Sequence, residues 1–215
     1  MARPSVRRGR IYVLAGTNGA GKSTIGGEAL RAAGVDFFNP DEAARRVRAA
    51  QPHLFPADAN SIAWHHGRRL LERAIAGKLD FAFETTLGGE TMTTLLENAS
   101  AAGSEVRIWY AGLASPELHI ERVRRRVAKG GHDIPEVDIR RRYDQSRLNL
   151  IRLTPRLAEL RVYDNSAEGD PDAGQEPRPR LLLHLRDGRI AAPSNLTQTP
   201  EWAKPILAVA MKLVR

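Results

Sequence analysis

The chain has 215 residues, enough for one domain with a short addition. Hydrophobic residues make up 42% of it, which supports a core and excludes global disorder, and the absence of cysteine excludes disulfides and thiolate metal sites and fits a reducing compartment. The net charge of +8 comes mostly from arginine and points to an anionic partner, either nucleic acid or a small anionic substrate.

Residues 1–9 read as a basic arm. The apolar run behind it, residues 11–15, is too short for a secretion signal or a membrane span, and no other run approaches a spanning length. A cytoplasmic protein without a membrane partner is expected.

Strand one covers residues 10–15 and leads into Gly16-Thr17-Asn18-Gly19-Ala20-Gly21-Lys22-Ser23-Thr24. This fits G-x-x-x-x-G-K-[ST], the phosphate-cradling loop. Glycines let the backbone curl so that several N–H groups point at phosphate oxygens. A helix predicted over 22–33 adds free amides and partial positive charge at its start. Gly16, Asn18, Gly19, Ala20, Gly21, Lys22, Ser23 and Thr24 are therefore candidate ATP ligands. Lys22 reaches the β- and γ-phosphates, and Ser23 is the candidate Mg²⁺ ligand. Gly26 and Gly27 each weaken the helix by roughly 1 kcal/mol against alanine, which suggests close approach to a sheet. Gly34 is its stop.

Strand two, 35–38, ends in Asn39-Pro40-Asp41, where Pro40 suits the first turn of a helix over 41–50. A second helix over 58–76 offers Ile62, Leu70, Leu71 and Ile75 as its apolar face. Strand three, 80–85, ends in Glu84-Thr85-Thr86. A helix over 90–102 and strand four, 106–113, follow; the near-continuous apolar character of that strand suits a buried parallel position. Next come a helix over 116–127 behind Ser115, a Gly130-Gly131 turn, an arginine-rich helix over 135–153, a short helical piece and strand five, 161–163, ending at Asn165. Residues 168–179 read as linker. Segments 181–185 and 189–191 flank Asp187-Gly188, a hairpin signal, and an amphipathic helix is predicted over 200–214.

Five alternations of strand and helix predict an α/β fold with a parallel five-stranded sheet flanked by helices and a C-terminal hairpin-and-helix appendage. Ligands of such sheets bind at the carboxyl ends of the strands. The glycine loop, Asp41, Glu84 and Asn165 all fall there. In phosphoryl transfer a carboxylate at this rim orients an acceptor hydroxyl and takes its proton; Asp41 is the candidate, with a helix-cap role as the plain alternative. Glu84 is a candidate for acceptor hydroxyls or, through water, Mg²⁺, and Thr85 and Thr86 are candidate donors to either substrate. Asn165 either recognises adenine or shapes the loop beside it.

Between residues 121 and 142, eight Lys/Arg stand against four acids, half of the chain's net charge. That stretch reads as a lid whose guanidinium groups stabilise a transferring phosphoryl group. Arg126 and Arg140 flank its turn and are the candidates. His65 and His66 point apart on a helix and read as surface residues, while His119 and His132 carry no motif. Only Tyr143 is available near the arginines for base stacking, so nucleic acid is the less favoured partner. A weakly hydrolytic nucleotide-binding module and a polynucleotide kinase stay open as alternatives to a small-molecule kinase.

GTNGAGKST, the NPD after strand two, FAFETTL at strand three, and RVRRRVAKGGHDIPEVDIRRRYDQSRLNL followed by VYDNS together resemble the zeta-toxin-like family of P-loop kinases. The similarity covers about residues 10–166, with 121–142 as the lid and 167–215 packed on the same domain. The resemblance implies an ATP- and Mg²⁺-dependent kinase that phosphorylates a small-molecule hydroxyl, in the best-known members the 3′-hydroxyl of UDP-N-acetylglucosamine. It implies Lys22 and Ser23 for ATP and Mg²⁺, Asp41 as the acceptor-activating carboxylate, Glu84 and Thr86 for the acceptor, Arg126 and Arg140 as phosphate clamps, and an antitoxin as protein partner. NPD stands where Asp-x-Asp is more usual.

Overall fold

The computed structural model describes residues 8–27, 37–167, 178–193 and 196–214. Most of the basic arm, residues 28–34 of the predicted first helix with its stop, the first half of predicted strand two, and most of the linker lie outside the described residues.

One twisted sheet organises the chain. Its strands are β1 (Arg10–Ala15), β2 (Phe37–Phe38), β3 (Phe81–Thr85), β4 (Glu105–Gly112), β5 (Glu159–Asp164), β6 (Arg180–Arg186) and β7 (Arg189–Ala192), in the order β2-β3-β1-β4-β5-β6-β7. The first five are parallel, with Ile11 opposite both Phe81 and Val106. Chain order reverses on either side of β1, so the loop leaving its carboxyl end opens at the topological switch point, where such sheets hold ligands.

The predicted hairpin is not an appendage. β6 pairs antiparallel with β5, and β7 with β6, so the sheet has seven strands. Left as an edge, β5 would present an unpaired row of N–H and C=O groups; β6 satisfies that row and buries Leu182, Leu183 and Leu185. The C-terminal segment, a short turn at Glu201–Ala203 and a helix at Lys204–Leu213, buries Trp202, Ile206, Leu207 and Ala210 in the same core. A Cβ at Gly112 would come within 2.2 Å of the Trp202 ring, so β4 ends in glycine where the indole lies against it.

Six helices flank the sheet among the described residues: α1 (Pro40–Ala50), α2 (Pro56–Gly77), α3 (Glu90–Ala101), α4 (Pro116–Ala128), α5 (Glu136–Leu153) and α6 (Lys204–Leu213). The start of the predicted first helix is a single wide turn at Ser23–Gly27. There Gly26 sits so close to the Trp109 ring that a Cβ would approach it to 2.6 Å, the close contact with the sheet that the glycine pair suggested. α2 buries the expected face in part: Leu71 is fully buried, and Leu70 and Ile75 pack against the core, but Ile62 does not. Ile62 is 43% exposed, while Ala59, Ala63, Gly67, Leu71 and Ala74 are buried. Small residues recurring every three to four positions bring α2 close, and Gly67 lies against the edge of the Phe38 ring.

Candidate functional site

The loop Gly16–Ser23 is shaped by conformations that side chains rarely adopt. Gly16, Gly19 and Gly21 all have positive φ, at 141°, 82° and 78°. A Cβ on Gly16 would stand 2.3 Å from the Ala111 carbonyl oxygen, and one on Gly19 would stand 2.7 Å from that of His119. Gly16 N–H donates to the Thr85 carbonyl at 3.2 Å, which stitches the start of the loop to the end of β3.

Two buried side chains, His119 and Asn165, and the half-buried Arg142 grip the loop. The His119 ring nitrogen Nδ1 lies 2.8 Å from the Asn18 carbonyl oxygen. That oxygen only accepts, so Nδ1 carries the proton. Burial pushes the His119 pKa down to about 4, helped by the cations Lys22, Arg122 and Arg147 and opposed by the bond to Asn18; the ring is therefore neutral at pH 7. Asn165 is 4% exposed and its Nδ2 donates to the Ala20 carbonyl at 2.9 Å, while its Oδ1 is buried with no hydrogen-bond partner. From α5, Arg142 Nη1 donates to Asn18 Oδ1 at 2.9 Å, and the Arg142 carbonyl accepts from Thr17 Oγ1 at 3.3 Å.

Lys22 is only 8% exposed. Its Nζ donates to the Gly16 carbonyl at 2.8 Å and pairs with Glu84 Oε1 at 3.4 Å. The other carboxylate oxygen of Glu84 accepts from Asn39 Nδ2 at 3.2 Å. Asn39 also caps α1, its Oδ1 accepting from the Asp41 and Glu42 N–H groups at 2.9 and 3.2 Å. One chain of contacts thus joins the loop, the tip of β3 and the start of the helix that carries Asp41.

A cleft of about 280 Å³ opens at this rim. Asn18, Asp41, Glu84, Thr85, Thr86 and Arg142 line it, with Phe38, Trp64 and Met92 among its apolar walls. Asp41 is exposed, and its charge reaches Arg142: burial lowers the Arg142 pKa from its ordinary value, while Asp138 and Asp41 oppose that shift. Thr85 and Thr86 turn their hydroxyls to the backbone, accepting from Leu87 N–H at 3.1 Å and Gly88 N–H at 3.3 Å.

The predicted residues therefore divide. The loop residues, Lys22, Asp41, Glu84, Thr85 and Thr86 come together. Ser23 is exposed at the first turn after the loop, and of Thr24 only the backbone is described. Asn165 braces the loop from beneath and lines none of the clefts. Arg126 stands in an adjoining groove, where its Nη2 donates to the His132 carbonyl at 2.8 Å. Arg140 is on the outer face of α5, bonded to Glu117 Oε1 at 2.6 Å. The arginine at the cleft is Arg142. Helix phase marks it: Ile139, Arg142, Ser146, Asn149 and Leu153 recur at three- and four-residue steps along the inward face of α5. His119 was also passed over, although it lies four residues before Val123 and shares the buried face of α4.

Residues 11–147, more than half of the chain, match the AAA domain family. A protein of Haemophilus influenzae described as uncharacterized is 30% identical over 138 residues, covering 64% of this chain and 95% of that one. Among solved structures, AvrRxo1-ORF1:-ORF2 with ATP superposes with a TM-score of 0.65 at 15% identity, covering 94% of this chain and 64% of that one. The PezAT chromosomal toxin–antitoxin system of Streptococcus pneumoniae superposes with a TM-score of 0.55 at 14% identity, covering 99% and 88%. At these identities the likeness is one of fold. With the phosphate loop at the switch point of a mostly parallel sheet and the match running through it, the chain belongs to the AAA domain family.

Proposed function

We propose that this protein is a zeta-toxin-like kinase, acting in the cytoplasm, that moves the γ-phosphate of ATP to a hydroxyl of a small molecule, with nucleotide sugars such as UDP-N-acetylglucosamine as candidate acceptors. One observation carries the reading: Asp41 and Glu84 line a single cleft with Arg142, and Glu84 is paired with the loop lysine. A module that only held nucleotide would need the loop but not a rim carboxylate beside it.

The loop amides and Lys22 seat the triphosphate. Lys22 must leave the Gly16 carbonyl and Glu84 to meet phosphate, which frees the Glu84 carboxylate for acceptor hydroxyls. The acceptor oxygen attacks the γ-phosphorus in line, its proton passes to Asp41, and the bond from the γ-phosphorus to the β–γ bridging oxygen breaks with ADP leaving. Arg142 offsets negative charge at the phosphoryl group. Asn165, through Ala20, and His119, through Asn18, position the loop.

Mg²⁺ fits this donor set. The Ser23 hydroxyl and the Asp41 and Glu84 carboxylates are hard oxygens near the loop, of the kind that Mg²⁺ takes. Bound there, it would neutralise negative charge on the phosphates.

We take residues 10–166 as the kinase unit, with residues 121–142, from the second half of α4 to the start of α5, as its lid. The likeness in fold to PezAT supports an antitoxin as a partner to seek. No helix among the described residues is long and apolar enough to cross a membrane.

The test is phosphoryl transfer from labelled ATP into a metabolite extract, resolved by mass. Wild type should give a new phosphorylated compound and Asp41→Asn should give none. Equal labelling by both proteins, or labelled inorganic phosphate alone, would sink the kinase reading, and label on oligonucleotides alone would replace the small-molecule acceptor.

A further inference from the structure

Asn39 stands between β2 and Pro40, the first residue of α1. Proline brings no N–H, so the first donors of the helix are the Asp41, Glu42 and Ala43 amides. Asn39 takes all three. Its Oδ1 accepts from Asp41 and Glu42 at 2.9 and 3.2 Å, and its carbonyl accepts from Ala43 at 3.0 Å. The other end of the side chain turns to β3, where Nδ2 donates to Glu84 Oε2 at 3.2 Å. Asn39 is not among the residues that line the cleft; it faces a separate groove between α1 and α2. Its influence on the cleft therefore passes through Glu84 and the first turn of α1.

Both ends of the amide are dictated by their partners. Backbone N–H groups demand an acceptor and a carboxylate demands a donor, so a reversed amide would set N–H against N–H and oxygen against oxygen. Aspartate at this position would cap the helix as well as asparagine does, but would present only oxygen to Glu84. Serine also caps, but has no second polar atom to send to β3. Capping alone does not distinguish the three residues. The contact with Glu84 does.

The Glu84 side chain is 14% exposed, and among the described residues its carboxylate has two polar partners, Lys22 at 3.4 Å and Asn39. When the loop lysine turns to a triphosphate, the Asn39 amide is the one that stays. The incoming phosphates repel Glu84, and a donor fixed on its other oxygen opposes that push.

We infer that Asn39 is a positioning residue for the transfer proposed above, on which this inference rests: one amide sets both rim carboxylates, holding Glu84 at the cleft once ATP has drawn Lys22 away and fixing the helix turn that carries Asp41. Asn39 itself touches neither ATP nor acceptor.

The extract assay with labelled ATP, run at saturating ATP, tests this beside calorimetric binding of a non-hydrolysable ATP analogue and thermal melting. Asn39→Asp keeps the shape and the cap and exchanges only the donor. It should melt as a folded protein and label at least roughly tenfold more slowly, with analogue affinity changed by less than about threefold. Asn39→Ser removes the donor without adding charge and should also slow labelling by roughly tenfold. A cap with a merely structural role would cost the same whatever stands at position 84. Asn39→Ser should instead slow the residual labelling of Glu84→Ala by less than about threefold, because no carboxylate remains there to be held. Labelling by Asn39→Asp at the wild-type rate, an equal cost of Asn39→Ser in both backgrounds, or a loss of analogue affinity as large as the loss of rate overturns the inference. The absence of any labelled product from wild type is a separate failure, which removes the kinase reading and this inference with it.

Discussion

The two walls of the cleft are built on different principles. On the nucleotide side, the loop is fixed by buried contacts from β3, α4, α5 and the segment after β5: Thr85 to Gly16, His119 and Arg142 to Asn18, and Asn165 to Ala20. On the proposed acceptor side, Asp41, Arg45, Arg48 and Trp64 are exposed on α1 and α2, and the Asn39 cap ties the start of α1 to the loop through Glu84. A triphosphate offers the same oxygens in every reaction, so its cradle is over-determined. The proposed acceptor wall keeps side chains at the surface, where they can be matched to one substrate.

The sharpest way to break this comparison is to attack both walls and compare failures. Lys22→Ala should lower kcat/KM for phosphoryl transfer by about 10²–10³-fold or more, and Arg142→Ala by roughly 10–10²-fold, the second also raising the KM for ATP because it releases Asn18. Arg140→Ala should leave both parameters and the melting temperature unchanged, since the carboxylate it bonds is the exposed Glu117. If Arg140 proved the more damaging site, the assignment of Arg142 would be wrong.

Stability should respond next, and only on the nucleotide side. Gly16→Ala places a Cβ against the Ala111 carbonyl at a backbone angle alanine avoids, and should destabilise by roughly 3 kcal/mol in chemical denaturation. Gly89→Ala is the contrast, because nothing lies within 4 Å of a Cβ there and its φ is negative.

His119 supplies a pH test. Its pKa falls to about 4 in the folded chain, against 6.5 when unfolded, so the unfolded state binds more protons between those values. The stability it contributes is full above about pH 6.5 and is lost as pH drops towards 4, by about 3 kcal/mol in total. His119→Leu should flatten that part of the profile. A wild-type profile already flat from pH 7 to 4.5 would show that the ring is not held neutral.

The smallest effect expected is at Asn165. Asn165→Ala removes the bond to Ala20, worth about 1 kcal/mol, but also removes a buried oxygen that has no partner, so the net loss should be under about 1 kcal/mol. A modest rise in the KM for ATP with kcat unchanged would match a brace for the loop. A change in nucleobase preference would instead restore the adenine-reading role.

Short-range pattern was enough for much of this. The phosphate loop, Asp41 behind a capping Asn39, Glu84 at a strand end and the Gly130-Gly131 turn are all dictated by neighbours within a few residues, and backbone geometry places strand ends on one rim. Helix phase also held information that reading residues singly missed: Arg142 is three residues from Ile139, and His119 four from Val123.

What sequence could not decide was where segments distant in the chain would meet. That β6 would close the edge of β5 depends on which strand lacked a partner once the parallel sheet was ordered, and that α2 would bury alanines and Gly67 rather than Ile62 depends on how near Phe38 brought it. Whether Arg124 and Arg140 end in surface ion pairs depends on carboxylates supplied by the other helix of the α4–α5 pair. The sequence by itself determined the chemistry available at the rim; the tertiary structure decided which charges were already neutralised and which were left to meet a ligand, because only packing brings the partners of a charge within its reach.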